Sequence, residues 1–80
     1  MRLDKFLKDS RIIKRRTVAK DACDQGRVLI NGKTAKAGDK VMVGDQIEIA
    51  FGTGTFKAEV LKLETNPRKK DAQDLYRLLD

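Results

Sequence analysis

A chain of 80 residues provides for one small domain and leaves no room for a second hydrophobic core. Its composition, 40% hydrophobic and 38% charged, argues against disorder, and its lone cysteine excludes an internal disulfide and fits a reducing compartment. The formal net charge of +6 lies entirely in residues 1–20, where eight Lys or Arg face two Asp; residues 21–80 hold ten side chains of each sign. A cationic end on a neutral body predicts a polyanionic partner, and nucleic acid is the first candidate.

The absence of histidine bears on function, because it removes the side chain best suited to proton transfer near neutral pH and the commonest metal ligand. We therefore expect a non-enzymatic protein with no metal and no cofactor. The first eight residues contain no apolar run long enough for a signal peptide or a membrane span. This predicts a cytoplasmic location and no membrane partner.

Two helices are predicted at the start of the chain. Leu3, Phe6 and Leu7 have helical spacing, which predicts an amphipathic helix over residues 2–8. Asp4 lies in its first turn and is expected to pair with Lys8. Residues 15–25 are predicted to form a second helix, ended by a left-handed glycine. The apolar side of this helix is Val18, Ala19, Ala22 and Cys23, followed by Gly26.

Short strands are predicted in the middle of the chain. The strand over residues 28–30 runs into Asn31-Gly32, a strong signal for a tight hairpin. Residues 41–43 and 47–49 predict two more strand segments, separated by a turn. A second hairpin is expected at residues 51–56. It leads into a strand with alternating inward residues at Phe56, Ala58 and Val60.

A C-terminal helix is predicted after residue 66. Asn66 and Pro67 are suited to the N-cap and the first helical position. The apolar residues that follow at helical spacing are Ala72, Leu75, Tyr76 and Leu79. The expected fold class is therefore α+β: two N-terminal helices on a small, mainly antiparallel sheet, with a C-terminal helix. The expected organisation is a single domain over residues 1–80, with its core motif in about 1–50 and a C-terminal strand and helix in 51–80.

Three consecutive cations at the start of the second helix oppose the helix dipole. Lys14, Arg15 and Arg16 stand where an acidic or capping residue would be more favourable. Bound phosphates would reverse this penalty, since helix amides and cations then act together. The alternative is a solvated cluster kept for solubility. The run at residues 68–70 is offset by Asp71 and Asp74, and we interpret it mainly as surface.

The few aromatic residues indicate which nucleic acid would bind. Single-strand binders stack bases on exposed aromatic side chains. Phe6, Phe51, Phe56 and Tyr76 each stand where the core or a hairpin requires them. This favours structured RNA, recognised by its shape and its phosphates.

These residues together resemble the RNA-binding domain named after ribosomal protein S4. The resemblance covers about residues 1–50 and rests on Arg2-Leu3-Asp4-Lys5-Phe6-Leu7, Arg16, Ala19, Gly26-Arg27-Val28, Ile30-Asn31-Gly32 and Val41 with Gly44-Asp45. It implies two helices on a small sheet, with the helical face and the nearby hairpin edge binding structured RNA. Among stand-alone members, the chain is similar to the heat-shock-protein-fifteen-like factors of bacterial ribosome-associated quality control.

That similarity implies a specific role and specific partners. The implied role is to bind the RNA of the large ribosomal subunit and to stabilise peptidyl-tRNA in the P site during C-terminal alanine tailing of stalled chains. The partner that elongates these chains would be contacted indirectly, and the protein is expected to be a monomer. The residues carried over as RNA-binding are Arg2, Lys5, Arg11, Lys14, Arg15, Arg16 and Lys20, with Arg2 and Arg16 foremost. Asp4 either orients one of these cations or is a simple first-turn charge.

Other interpretations remain open. Within RNA binding, a heat-shock recycling or assembly factor on stalled large subunits would share the same site. A helix-turn-helix DNA binder is disfavoured, because Asp21 and Asp24 place negative charge along the second helix. A β-grasp sulfur carrier would need a Gly-Gly C-terminus, which this chain lacks. A thiol enzyme built on Cys23 is disfavoured, because its apolar neighbours predict a buried packing residue.

Overall fold

The computed structural model describes residues 1–79 and consists of two helices and a five-stranded antiparallel sheet. The helices are α1 (Leu3–Asp9) and α2 (Arg16–Asp24). The strands are β1 (Val28–Ile30), β2 (Lys33–Thr34), β3 (Gln46–Phe51), β4 (Gly54–Val60) and β5 (Tyr76–Leu78), and a 3-10 turn, Ala72–Leu75, precedes β5. The spatial order is β2-β1-β3-β4-β5. The predicted α+β class and both N-terminal helices are confirmed.

One hydrophobic core joins the two helices to the inner face of the sheet. Leu3, Phe6 and Leu7 of α1 are fully buried, as their spacing predicted. They share the core with Ile47 and Ile49 of β3 and with other buried residues of α2, β1 and β4. Of the helices within residues 1–79, none has the length and apolar character that a membrane crossing requires.

Both predicted hairpins are present. Asn31 and Gly32 have φ of 52° and 83°, and they connect β1 to β2 in a tight turn with positive φ at both central positions. The second hairpin joins β3 to β4, with Phe51 paired to Gly54 across its tip. The positions of both hairpin turns are therefore predicted correctly by the short stretches of sequence that form them.

The strand predicted at residues 41–43 is not formed. Val41 is buried, but its amide donates to the carbonyl of Met1 at 2.9 Å rather than to a sheet. The Asp45 carboxylate accepts from the Met42 amide at 2.9 Å, and the Asp45 amide donates to the Met42 carbonyl at 3.1 Å. These bonds close a turn, so the segment ends before it can pair with a strand.

The predicted C-terminal helix is also wrong, although Ala72 and Leu75 are buried as expected. Asn66 has a φ of 51°, in the left-handed region, and does not adopt the extended conformation of an N-cap. The 3-10 turn places Ala72 and Leu75 on the same buried side. The chain then continues into β5, which pairs with β4, and Tyr76 lies opposite Val60. The strand covers an edge of β4 that would otherwise be open.

Candidate nucleic-acid interface

A single buried carboxylate joins the starts of α1 and α2. The side chain of Asp4 is 4% exposed and accepts hydrogen bonds from two guanidinium groups. The Nε of Arg2 lies 3.1 Å from Oδ1, and the Nε of Arg16 lies 3.3 Å from Oδ2. The amide of Lys5 also donates to Oδ1 at 2.8 Å. Asp4 therefore orients one cation two residues before it and another twelve residues after it, and the predicted Asp4–Lys8 pair is wrong.

The electrostatics of Asp4 match this geometry. Burial alone would raise the pKa of the carboxyl, but the hydrogen bonds from Arg2 and Arg16, together with the charge of Arg16, outweigh it. The pKa of Asp4 is consequently lowered from its ordinary value of 3.8. At neutral pH the group is an anion that holds both arginines in place.

The two arginines keep donors available for a ligand. Arg2 and Arg16 are 54% and 48% exposed. Within residues 1–79, Arg16 uses only its Nε in a hydrogen bond, so Nη1 and Nη2 have no protein acceptor. A guanidinium that is oriented by one carboxylate and still offers its outer N–H groups is suited to phosphate oxygens.

A loop after β2 contacts the start of α1 and packs against Arg2. The amides of Leu3 and Asp4 donate to the carbonyls of Asp39 and Ala37, at 2.8 and 3.1 Å. A Cβ at Gly38 would lie 3.8 Å from Cζ of Arg2, so the guanidinium packs directly over that glycine. The sequence does not predict these loop contacts, because they join residues more than thirty positions apart.

The start of α2 has the unfavourable pattern that the sequence indicated. Arg15 occupies the N-cap with an extended backbone and makes no side-chain hydrogen bond to the helix. Lys14, Arg15 and Arg16 are all exposed. The first amides of α2 thus lack a capping side chain and are surrounded by cations, which is a favourable setting for an anion.

A second buried carboxylate organises the cations at the other end of α1. Asp9 is 4% exposed, and its Oδ2 lies 2.6 Å from Nζ of Lys5. Lys8 extends its Nζ to 3.8 Å from Oδ1, and this oxygen has no hydrogen bond within the described chain. Lys5 is therefore turned toward Asp9 rather than toward Arg2 and Arg16.

The other predicted site residues are distributed along the helical face. Arg11 and Lys14 lie in the turn between α1 and α2, and neither forms an ion pair within residues 1–79. Lys20 pairs with Asp24 across one turn of α2 at 3.0 Å. The hydrogen bond and charge of Asp24 raise the pKa of Lys20. The structure brings Arg2 and Arg16 together and leaves Lys20 partly neutralised.

The apolar side of α2 is narrower than predicted. Ala19 and Cys23 are buried, whereas Val18 is 49% exposed. Burial raises the pKa of the Cys23 thiol to about 11, with a further contribution from the negative charges of Asp4, Asp24 and Asp39. A thiol that is buried and protonated at neutral pH is a packing residue, as the sequence predicted, and an unsuitable nucleophile.

The outer face of the sheet has a different electrostatic character. Glu48 and Lys57 are cross-strand neighbours on this face. Arg77 places its Nη2 2.6 Å from Oε1 of Glu59. These pairs place charges of both signs on the outer face of the sheet.

Comparisons with known proteins agree with this architecture. A family model described as the S4 domain matches residues 1–47. The chain is 51% identical over 76 residues to a protein of Halalkalibacterium halodurans named RQC P-site tRNA stabilizing factor, covering 95% of this chain and 86% of that protein. A protein of the same name from Listeria innocua is 49% identical over 79 residues, covering 99% of this chain and 86% of the relative.

A solved structure is similar along almost the whole chain. The trimeric structure of Heat Shock Protein 15 from Vibrio cholerae superposes with a TM-score of 0.89 at 32% sequence identity. The match covers 99% of this chain and 81% of the Vibrio chain. The similarity thus extends beyond the matched family model to the C-terminal 3-10 turn and β5.

Proposed function

The chain belongs to the S4 domain family, and from this premise we propose that it is a non-enzymatic RNA-binding factor of ribosome-associated quality control. Its proposed target is the large ribosomal subunit carrying peptidyl-tRNA in the P site. The protein would bind ribosomal RNA and stabilise that tRNA while stalled chains receive C-terminal alanine. In this proposal residues 1–80 act as one domain and as a cytoplasmic monomer, and the elongating partner is engaged indirectly.

The observation that carries the proposal is the pair of arginines fixed on Asp4. Arg2 and Arg16 belong to different helices, yet one buried carboxylate orients both, and each remains half exposed. Two oriented guanidiniums beside an uncapped helix start form a surface for the phosphates of a folded RNA. The relatives named RQC P-site tRNA stabilizing factor support P-site tRNA as part of that target.

The proposed contact residues follow from this geometry. Arg2 and Arg16 provide the central phosphate contacts, while Lys14 and Arg15 extend the surface along the turn before α2. Lys5, Arg11 and Lys20 lie at its margins. Asp4 acts as a positioning residue, because it touches the arginines and is itself shielded from solvent.

Co-sedimentation with isolated large ribosomal subunits, with and without peptidyl-tRNA, tests the proposal. Wild-type protein is compared with Arg16→Ala and with Arg77→Ala. Arg77 is a matched control: it is 59% exposed and paired with one carboxylate, but it lies on the outer face of the sheet. We expect peptidyl-tRNA to increase binding and Arg16→Ala to lose most of it, with Arg77→Ala behaving as wild type.

Two results would contradict this expectation in different ways. Equal losses in Arg16→Ala and Arg77→Ala would mean that only net charge matters, and the helical surface would not be the site. Binding that ignores peptidyl-tRNA would favour the second candidate, a heat-shock recycling or assembly factor. That candidate is supported by the similarity to Heat Shock Protein 15 at a TM-score of 0.89.

A further inference from the structure

The turn between α1 and α2 contains an arginine in a backbone conformation that favours glycine. Arg11 follows the last turn of α1 with a φ of 61°, and its amide donates to the carbonyl of Lys8 at 3.0 Å. This is the left-handed position that commonly ends a helix. The equivalent position after α2 is Gly26, with a φ of 73°. The same molecule thus uses glycine for this task once and arginine once.

Local stability does not explain the arginine at residue 11. A side chain with a Cβ is strained at positive φ, and glycine would meet the same backbone requirement without that strain. The Arg11 side chain is exposed, so it adds nothing to the core. Strained residues of this kind concentrate at sites of function, so the surroundings of the Arg11 side chain are a candidate site.

Arg11 faces a cavity of about 260 Å³ between the end of α1 and the C-terminal segment. The lining residues are Lys8, Asp9, Arg11, Lys14, Asn66 and Pro67. Three of them are cations, and the only carboxylate, Asp9, is already paired with Lys5 at 2.6 Å. Asn66, from the far end of the chain, also has positive φ, at 51°. The cavity is therefore a cationic concavity with two left-handed residues in its wall.

Asp9, in the wall of the cavity, is paired with one lysine and approached by a second. Asp9 is buried and holds Nζ of Lys5 on one oxygen, with Nζ of Lys8 at 3.8 Å from the other. That second oxygen makes no hydrogen bond within residues 1–79, so Lys8 can leave it for a stronger acceptor. Arg11 also lines an adjoining cavity with Lys69, which continues the positive charge toward β5.

We propose that this cavity is a second phosphate subsite for the RNA backbone, formed by Lys8, Arg11 and Lys14 and closed by the segment at Asn66. It rests on the function proposed above and adds to it a second RNA contact. Arg2 precedes α1 and Arg11 follows it, so the two subsites lie at opposite ends of this helix.

The decisive variant is Arg11→Gly, because its effects on folding and on binding are expected to have opposite signs. Glycine relieves the strain at positive φ, so thermal unfolding should give an unchanged or higher Tm. Affinity for large subunits carrying peptidyl-tRNA should fall roughly fivefold at 0.1 M salt. The reason is that each phosphate contact contributes about 0.7–0.9 to the slope of log K against the logarithm of the salt concentration. Lys14→Gln should show the same loss, and Lys57→Gln on the outer sheet face should bind as wild type.

Inorganic phosphate provides a readout that does not depend on the ribosome. In amide NMR spectra, phosphate should shift the resonances of residues 8–14 and of Asn66 in wild type, and these shifts should be absent in Arg11→Gly. If both variants retain the wild-type salt slope while Arg16→Ala loses binding, the subsite is refuted and the proposed function stands. If phosphate shifts only the start of α2, the subsite is likewise refuted. If phosphate shifts the cavity residues but large subunits are not bound, the anion site stands, and both its assignment to RNA and the proposed function are overturned.

Discussion

At the scale of single residues, the chain uses buried carboxylates to fix exposed cations. Asp4 holds Arg2 and Arg16, and Asp9 holds Lys5 with Lys8 nearby. Burying a carboxylate costs free energy unless it is paired, and here the pairing is complete for Asp4. The arginines consequently present a defined geometry to a ligand, which flexible surface cations do not.

This role of Asp4 leads to a prediction that opposes simple electrostatics. Asp4→Asn raises the net charge by one, so nonspecific attraction to RNA would increase. We expect the opposite, a roughly tenfold or greater loss of affinity for the large subunit, because charge-assisted hydrogen bonds worth about 1.5–3 kcal/mol no longer orient the arginines. Filter binding at several salt concentrations measures this, with Asp24→Asn as control on the exposed pair with Lys20. Tighter binding by Asp4→Asn would refute the positioning role.

Asp4 also predicts how stability depends on pH. Its folded-state pKa is depressed below the ordinary value of 3.8. Its contribution to the free energy of unfolding is therefore fully present above pH 3.8 and is lost as pH falls through the lower folded-state pKa. Urea unfolding between pH 7 and the acid range should show a steeper acid loss in wild type than in Asp4→Asn. Parallel curves for the two proteins would contradict the ion-pair assignment.

At the scale of elements, the C-terminal segment is held by its apolar contacts and by sheet pairing. The buried Leu75 ends the 3-10 turn, and its carbonyl accepts from the amides of Leu61 and Lys62. Tyr76 then packs edge-on against Phe56, with ring centroids 6.1 Å apart. The segment therefore completes the sheet and the core, which a detached surface helix would not do.

Two leucines three residues apart test this packing. Leu75 is fully buried and Leu78 is 66% exposed. We expect Leu75→Ala to lower the free energy of unfolding by about 2–5 kcal/mol, because it leaves a cavity in the core. Leu78→Ala should change it by less than about 0.5 kcal/mol. Equal effects in denaturant unfolding would mean that this segment is not packed as described.

At the scale of the whole molecule, charge is separated between two faces. The helical side bears the cations of residues 1–20, and the outer sheet face bears charges of both signs in cross-strand pairs. A ligand with many phosphates will therefore approach the helical side first. We therefore expect binding to RNA to depend strongly on salt.

The salt dependence can be stated in advance. If the protein makes five or six phosphate contacts, raising the salt concentration from 50 to 200 mM should weaken its binding to the large subunit roughly a thousandfold. Arg77→Ala should reproduce this slope, because its cation lies on the other face. A slope near zero, measured by fluorescence anisotropy with labelled protein, would show that phosphates are not the main contact.

The sequence by itself determined what acts over a few residues. Helical spacing of Leu3, Phe6 and Leu7 located α1, and Asn31-Gly32 located the first hairpin. The cationic end was also evident, since charge can be counted without coordinates. The assignment of RNA binding to particular residues rests on this charge and on the family resemblance, and it stays a prediction.

Only the tertiary structure decided what depends on partners distant in the chain. Asp4 lies twelve residues from Arg16, and local spacing pointed instead to Lys8, four residues away. The segment after Asn66 has helical spacing, yet it ends as a strand because β4 offers an open edge, Glu59 lying opposite Arg77 across 18 residues. Local preferences amount to tenths of a kcal/mol per residue, whereas edge pairing and core burial contribute several. The larger, long-range terms therefore decided these elements, and they require the folded chain to be recognised.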